Sequence, residues 1–408
     1  MKLILFCHPQ FMASQSMPRF AGMLQEAYQA RGIQVEAWAP QAWVRRLITQ
    51  GPIAKWAGYV DQYVFFPISV RRRLKQIPPD TLLVFCDQAM GPWMALAKDR
   101  PHVVHAHDLL ALRSALGDIP ENPTSWTGRA YQRYIRRGIR RARNFISVSN
   151  KTREDLHRFT GVRPEVSEVV HNGLNYPYSR MAAREAREAL TAAGLPVEER
   201  GMLLHVGGGQ WYKNFRGVIA LYSRYVEKHE RPLELWCIGR EPRPEIRALA
   251  EAVPSGGKVR LFSNIDNRTL EATYSHARAL LFPSLAEGFG WPLIEAAACG
   301  CPALTTAEPP MSEIAGPRAA FVPRLRLEDD LRIWASEAAQ VLDSLLAQAA
   351  VEDAETIEQA ANWARRFDAA ATIDCYLDIY HRILESPPED AASTQRPETG
   401  ALRPARTE

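Results

Sequence analysis

Short apolar runs recur along this chain in two series, each run separated from the next by a stretch long enough for a helix. The first series falls at 2–7, 34–38, 82–86, 102–106, 145–148 and 166–171, and the second at 202–206, 233–238, 259–262, 279–282, 303–306 and 320–322. Strands that run in parallel need a crossover long enough to hold a helix, so this alternation predicts parallel sheets covered on both faces. The expected fold class is α/β, with two doubly wound, Rossmann-like domains in succession. Ligands of such sheets bind outside the carboxyl ends of the strands, and two facing domains enclose a cleft for two substrates. A chain of 408 residues, 46% hydrophobic and 24% charged, has apolar material for both cores.

The break between the series falls within 175–200. We place an N-terminal domain at 1–178, a linker at 179–200 that includes an Ala/Arg/Glu-rich helix near 182–193, and a C-terminal domain at 201–355. A last helical stretch, 356–385, is expected to return to the N-terminal domain. The tail 386–408 is rich in proline and polar residues and is expected to be disordered.

Charge and cysteine usage narrow the class of partner. A formal net charge of +4 is too mild to imply nucleic acid. The six cysteines, at 7, 86, 237, 299, 301 and 375, fit a reducing compartment better than a disulfide framework, since several stand inside apolar runs. Cys299 and Cys301 lack a second pair and a histidine at ligand spacing, so no metal site is expected. The opening run is too short for a signal segment, and no run approaches the roughly 20 apolar residues of a membrane span, so a cytoplasmic protein is expected.

The chemistry-bearing residues follow two runs of the second series. The run 203–206 leads into Gly207-Gly208-Gly209-Gln-Trp-Tyr-Lys213-Asn214, and the run 279–282 leads into Pro283-Ser-Leu-Ala-Glu287-Gly288-Phe289-Gly290-Trp291-Pro-Leu-Ile-Glu295. Glycine lets the backbone approach an anion and lysine supplies a mobile positive charge. Amides at a helix start favour a diphosphate, while carboxylates on either side can accept from hydroxyls. The first turn is neither a dinucleotide fingerprint nor a P-loop, because Tyr212 replaces the third glycine and Lys213 lacks the flanking Gly and Ser or Thr. Alone it reads equally well as a tight turn with a surface lysine, and Glu295 as an ordinary first-turn glutamate. Both turns close strands of the same domain, where together they can reach one ligand built as sugar, diphosphate and ribose.

Through these residues the chain resembles the retaining glycosyltransferases of family 4, which have the GT-B fold: two Rossmann-like domains facing across a cleft. Two glutamates separated by seven residues, Glu287 and Glu295, look like the family signature, and Met311-Ser-Glu-Ile-Ala-Gly316 continues it. Ser147-Val-Ser149 and His171-Asn-Gly173 are similar to landmarks of the first domain, and the likeness spans about 2–385. The resemblance implies an acceptor domain at 1–178 and a nucleotide-sugar donor domain at 201–355. It implies that Glu287 contacts hydroxyls of the donor sugar as a catalytic residue, that Glu295 holds the ribose diol, and that Lys213 neutralises the departing diphosphate. Donor binding is further assigned to Gly208, Gly209, Gly288, Phe289, Gly290 and Trp291. His107, after a first-domain strand, is similar to the family's histidine near the reaction centre and is the second catalytic candidate; a histidine satisfied by its neighbours is the plainer reading.

Two departures shape the expectation. Many family members carry an arginine shortly before the lysine, and Gly208-Gly209-Gln-Trp-Tyr has none, so either the amides carry more of the load or Arg240 approaches the phosphates. Asp-x-Asp occurs nowhere, so the chemistry is expected to need neither metal nor cofactor. The expected reaction moves a sugar from a UDP- or GDP-linked donor to a saccharide or lipid-linked acceptor in cell-surface polysaccharide or lipopolysaccharide synthesis. A nucleotide-sugar epimerase, a phosphorylase of the same architecture and a non-catalytic sugar-nucleotide sensor are the competing readings.

Residues 129–143, beginning at Arg129 and ending at Arg143, carry seven arginines and no acid, with Tyr131, Tyr134 and Ile135 between them. Such a stretch reads either as a solvated helix or as a peripheral contact to an anionic membrane surface at its inner face. Trp43, Arg45, Arg46, Ile48, Lys55 and Trp56 are grouped with it.

Overall fold

The computed structural model describes residues 1–11, 16–48, 50–351 and 354–385. The tail expected at 386–408 lies outside the described residues, as does part of the loop after His8. Six parallel strands form the first sheet: β1 (Lys2–Phe6), β2 (Gln34–Trp38), β3 (Leu82–Phe85), β4 (His102–Ala106), β5 (Asn144–Ser147) and β6 (Val166–Val169), in the order β2-β1-β3-β4-β5-β6. Six more form the second: β7 (Leu203–Val206), β8 (Leu235–Gly239), β9 (Val259–Ser263), β10 (Ala279–Phe282), β11 (Ala303–Thr306) and β12 (Ala319–Val322), in the order β12-β11-β10-β7-β8-β9. β3, β4, β5 and β10 are buried along their whole length. That is why these runs read as continuously apolar rather than alternating.

In each sheet the order reverses beside its first central strand, which leaves a crevice at the carboxyl ends there. The ends of β7 and β10 adjoin, since these strands pair through Ala279 with Leu203 and Leu280 with Leu204. Their following loops are the two glycine turns of the sequence.

The stretch 179–200 holds helix Ala183–Ala192, whose Ala186 and Leu190 are fully buried in the core of the second sheet. It is therefore packed rather than a free connection. Helix Ala369–Glu385 lies on the first sheet, adding Ile373, Tyr376, Ile379, Tyr380 and Ile383 to its core. The Tyr380 hydroxyl lies 2.7 Å from Nε2 of buried His105 and accepts from Tyr28 at 3.1 Å. The chain passes between the two sheets twice, and the passes touch: the Leu174 amide donates to the Phe367 carbonyl at 2.8 Å.

Candidate active site

The loop after β7 is fastened to the loop after β10. Asn214 takes a left-handed conformation (φ 52°) and caps helix Phe215–Lys228, its Oδ1 accepting from the Gly217 amide at 3.1 Å. Its Nδ2 donates to the Pro283 carbonyl at 3.0 Å, and the Leu285 amide donates to the Tyr212 carbonyl at 2.8 Å. These ties bring Lys213 opposite Glu287, where Nζ donates to Oε1 at 2.7 Å. Both side chains are nearly enclosed, at 12% and 9% exposure. The ammonium also lies 4.4 Å from the centre of the Phe282 ring, which adds a cation–π attraction.

Gly290 precedes helix Trp291–Ala298 with φ 109°, a value L side chains rarely adopt, and no side chain caps that helix start. Within the first turn Pro292 carries no N–H and the Leu293 amide donates to the Gly290 carbonyl at 3.0 Å, so the amides that suit an anion are those leading into the helix, up to Trp291. The Phe289 ring is buried against Trp291 and Phe367, so its backbone alone is available to a ligand. Glu295 is buried further along the same helix and its Oε2 accepts from the Tyr274 hydroxyl at 2.8 Å. Burial raises its carboxyl to about 7, against the opposing pull of that hydrogen bond and of the Lys213 charge. Gly208 and Gly209 stand half-exposed in the β7 loop, and the Arg243 guanidinium donates to the Gly209 carbonyl. Arg240 is exposed, and its charge reaches the Tyr212 hydroxyl.

His107 sits just past β4. Its Nε2 donates to the Cys86 carbonyl at 2.9 Å, its amide donates to Gln88 Oε1 at 2.9 Å, and its ring meets Phe20 edge-on at 4.5 Å. With Nε2 committed as donor, Nδ1 is left as an acceptor, and burial lowers the imidazole's pKa and favours this neutral form. Asp108 beside it is raised to about 6 by burial, with the charges of Asp87 and Glu287 adding to the effect. The two halves meet here. Ser149 Oγ and Thr152 Oγ1 donate to the Gly288 carbonyl at 2.8 and 3.2 Å, and a Cβ on residue 288 would overlap the His107 carbonyl. The fold thus assembles His107, Lys213, Glu287 and Gly288–Gly290 in one region, with Glu295 behind it.

Two cross-domain ties escape the sequence analysis. Glu313 Oε1 lies 2.6 Å from His171 Nε2 and accepts from Asn150 Nδ2 at 2.8 Å. Arg324 donates to Glu121 at 2.6 Å and to the Leu285 carbonyl at 2.8 Å. Glu313 stands inside the 311–316 motif, which is a signal of location; nothing local announces a partner 142 residues away.

Residues 17–176 match the sequence profile of Glycosyltransferase Family 4, and residues 186–324 match that of Glycosyl transferases group 1. The chain belongs to glycosyltransferase family 4. Among curated members, the O-antigen chain mannosyltransferase RfbU of Salmonella typhimurium is 24% identical over 215 residues, 52% of this chain and 55% of that one. The chain therefore spans about half of that relative's length. Of solved structures, sucrose-phosphate synthase from Thermosynechococcus elongatus superposes with a TM-score of 0.69 at 17% identity, covering 94% of this chain and 99% of that one. Anabaena HepE in complex with UDP-glucose gives 0.64 at 15% identity, covering 94% and 100%. The fold is GT-B.

Proposed function

We propose that this family 4 member transfers a sugar from a UDP- or GDP-linked donor to an acceptor hydroxyl with retention of the anomeric configuration. The observation that carries the reading is the Lys213–Glu287 contact at 2.7 Å, set between a glycine turn and a helix start that no side chain caps. Charge grows on the diphosphate as it leaves. Lys213 and the amides of Gly208, Gly209 and Gly288–Trp291 meet that charge where it develops, which accelerates the step rather than only tightening binding. Glu287 accepts from hydroxyls of the donor sugar and fixes the anomeric carbon over the cleft. His107 Nδ1 accepts from a further sugar hydroxyl across the domain boundary, and the Glu295 oxygen not used by Tyr274 accepts from the ribose diol.

For retention, the bond from the anomeric carbon to the phosphate oxygen breaks and the bond to the acceptor oxygen forms on the same face. The acceptor's proton passes to the departing phosphate oxygen. Lys213 and the amides supply the countercharge, so the chemistry calls for neither metal nor cofactor. The UDP-glucose held by HepE supports the donor class. RfbU is an O-antigen chain mannosyltransferase, which supports a saccharide acceptor; a lipid-linked acceptor, met at the cytoplasmic face of the membrane, belongs to the same proposal.

A thermal-shift screen against UDP, GDP, ADP and their sugars, followed by NMR assignment of the product anomer, tests the reading. Stabilisation by one nucleotide with a retained product supports it. Donor binding without turnover makes the chain a sensor, and an inverted or unlinked product sends it to another reaction.

A further inference from the structure

Helix Pro52–Val60 runs without interruption through a π-helical turn, Asp61–Phe65, into helix Phe66–Leu74. One side of this rod is buried through Ala54, Ala57, Asp61, Gln62, Phe66 and Val70. The other side presents Ile53, Trp56, Val60, Val64, Phe65 and Ile68, each between 38% and 64% exposed. Apart from the adjacent pair Val64 and Phe65, successive members stand three or four residues apart, which follows the rod across its wider turn. Single exposed apolar residues are ordinary on any protein, but a continuous row along one helical face marks a contact surface. Trp43 and Leu47, in the loop leading to the rod, are exposed as well.

The charge around this row has one sign. Residues 41–75 contain seven basic side chains and one acid, Asp61, which is buried and holds the amides of Val44 and Arg45 at 2.9 and 2.8 Å. Helix Trp126–Ile139 lies alongside, joined through the Tyr63 and Tyr131 hydroxyls at 2.6 Å and the Tyr63 and Tyr134 rings at 5.6 Å. Its Arg129, Arg133 and Arg137 recur every four residues and are exposed. No acid occurs between 125 and 143.

We infer that this face of the N-terminal domain docks on an anionic lipid bilayer, with the apolar row seated at the headgroup boundary and the arginines on lipid phosphates. An apolar helical face bordered by cations lies in the plane of such a surface, and tryptophan and tyrosine favour that depth. A uniformly anionic sheet of phosphates complements basic residues spread over two elements, whereas a protein partner would have to supply matching acids at each of them. The inference deepens the proposed lipid-linked acceptor, but its test does not depend on turnover.

The full chain is sedimented with vesicles of phosphatidylcholine alone and with vesicles that also contain phosphatidylglycerol. Binding is expected only to the second, and raising the salt concentration weakens it. Trp56→Ser with Phe65→Ser, and separately Arg129→Gln with Arg133→Gln, are each expected to lower vesicle affinity by about tenfold or more. Nucleotide-induced thermal shift, unchanged in both variants, reports that the fold and the donor half are intact. Equal binding to both vesicle types, or none, overturns the inference. So does a wild-type dimer in analytical ultracentrifugation that Trp56→Ser with Phe65→Ser dissolves, since a second copy then covers the row. Vesicle binding without any glycosyl transfer leaves this surface standing and removes the proposed function instead.

Discussion

Gly288 lies directly against the carbonyl of His107, with no room for a side chain between the two halves of the protein. The Gly288 carbonyl is also held from the first domain by Ser149 and Thr152, so the loop that carries Glu287 takes its position from both domains. Gly288→Ala must push the halves apart or shift that loop. A misplacement of about 1 Å near the reacting atoms lowers kcat/KM by on the order of 10²-fold, and overpacking costs about 1–3 kcal/mol. Steady-state kinetics with a urea titration checks both, and kcat/KM equal to wild type would show that the contact does not align the site.

Lys213→Ala removes the countercharge assigned to the leaving diphosphate. We expect kcat to fall by about 10²–10³-fold, as when a preorganised donor is lost from an oxyanion site. The same change leaves the enclosed Glu287 carboxylate without its partner, at a cost of about 1–3 kcal/mol in stability. Adding Glu287→Gln should restore much of that stability and none of the turnover. Melting temperatures and single-turnover rates of the single and double variants separate the two effects.

Glu295 gives stability a pH dependence of definite sign. Its carboxyl rises from 4.5 to about 7 on folding, so the folded state holds the proton more tightly. Stability from this group is present below the unfolded value and declines as pH rises through about 7. Glu295→Gln keeps an oxygen for the Tyr274 hydroxyl and cannot ionise. Its melting temperature relative to wild type should therefore improve as pH rises across that window, while its KM for the donor increases if the ribose diol rests on this carboxylate. A relative melting temperature that does not change with pH would show that Glu295 is ionised throughout.

Tyr380→Phe deletes the hydroxyl that joins Tyr28 and His105 beneath helix Ala369–Glu385. Two buried polar groups lose a partner, and the expected loss is about 1–3 kcal/mol for each unsatisfied group, read from the urea midpoint. Activity per folded molecule should not change, because the hydroxyl lies in the core of the first sheet.

On the proposed mechanism turnover should survive EDTA, since there Lys213 and backbone amides, and not a metal, supply the countercharge for diphosphate departure. Activity that vanishes with the chelator and returns with Mg²⁺ or Mn²⁺ contradicts the mechanism.

Much of this architecture is legible in the sequence because strand burial and crossover length leave local marks. The run 279–282 reads as a buried strand since all four residues face the core, and the Glu287–Trp291 turn is visible because glycine flanks the aromatic. Lys213 is recognisable for a related reason, as a cation at the close of a glycine turn. Neither its contact with Glu287 nor the tie from Glu313 to His171 and Asn150 is visible, since these depend on loops brought together by parallel pairing. Arg243 is missed for a simpler reason. It holds the Gly209 carbonyl from the start of a helix whose placement periodicity does not fix; Arg240, one of the two alternatives offered for the phosphates, is exposed. The packing of 183–192 is written in Ala186 and Leu190, one helical turn apart, but two positions are too few to show what they pack against.

The bond between Leu174 and Phe367 places the outgoing and returning passes of the chain side by side. Two connections side by side leave the halves fewer relative placements than a single one would, and the bonds from Ser149 and Thr152 to Gly288 and between Glu313 and His171 form within that narrowed range.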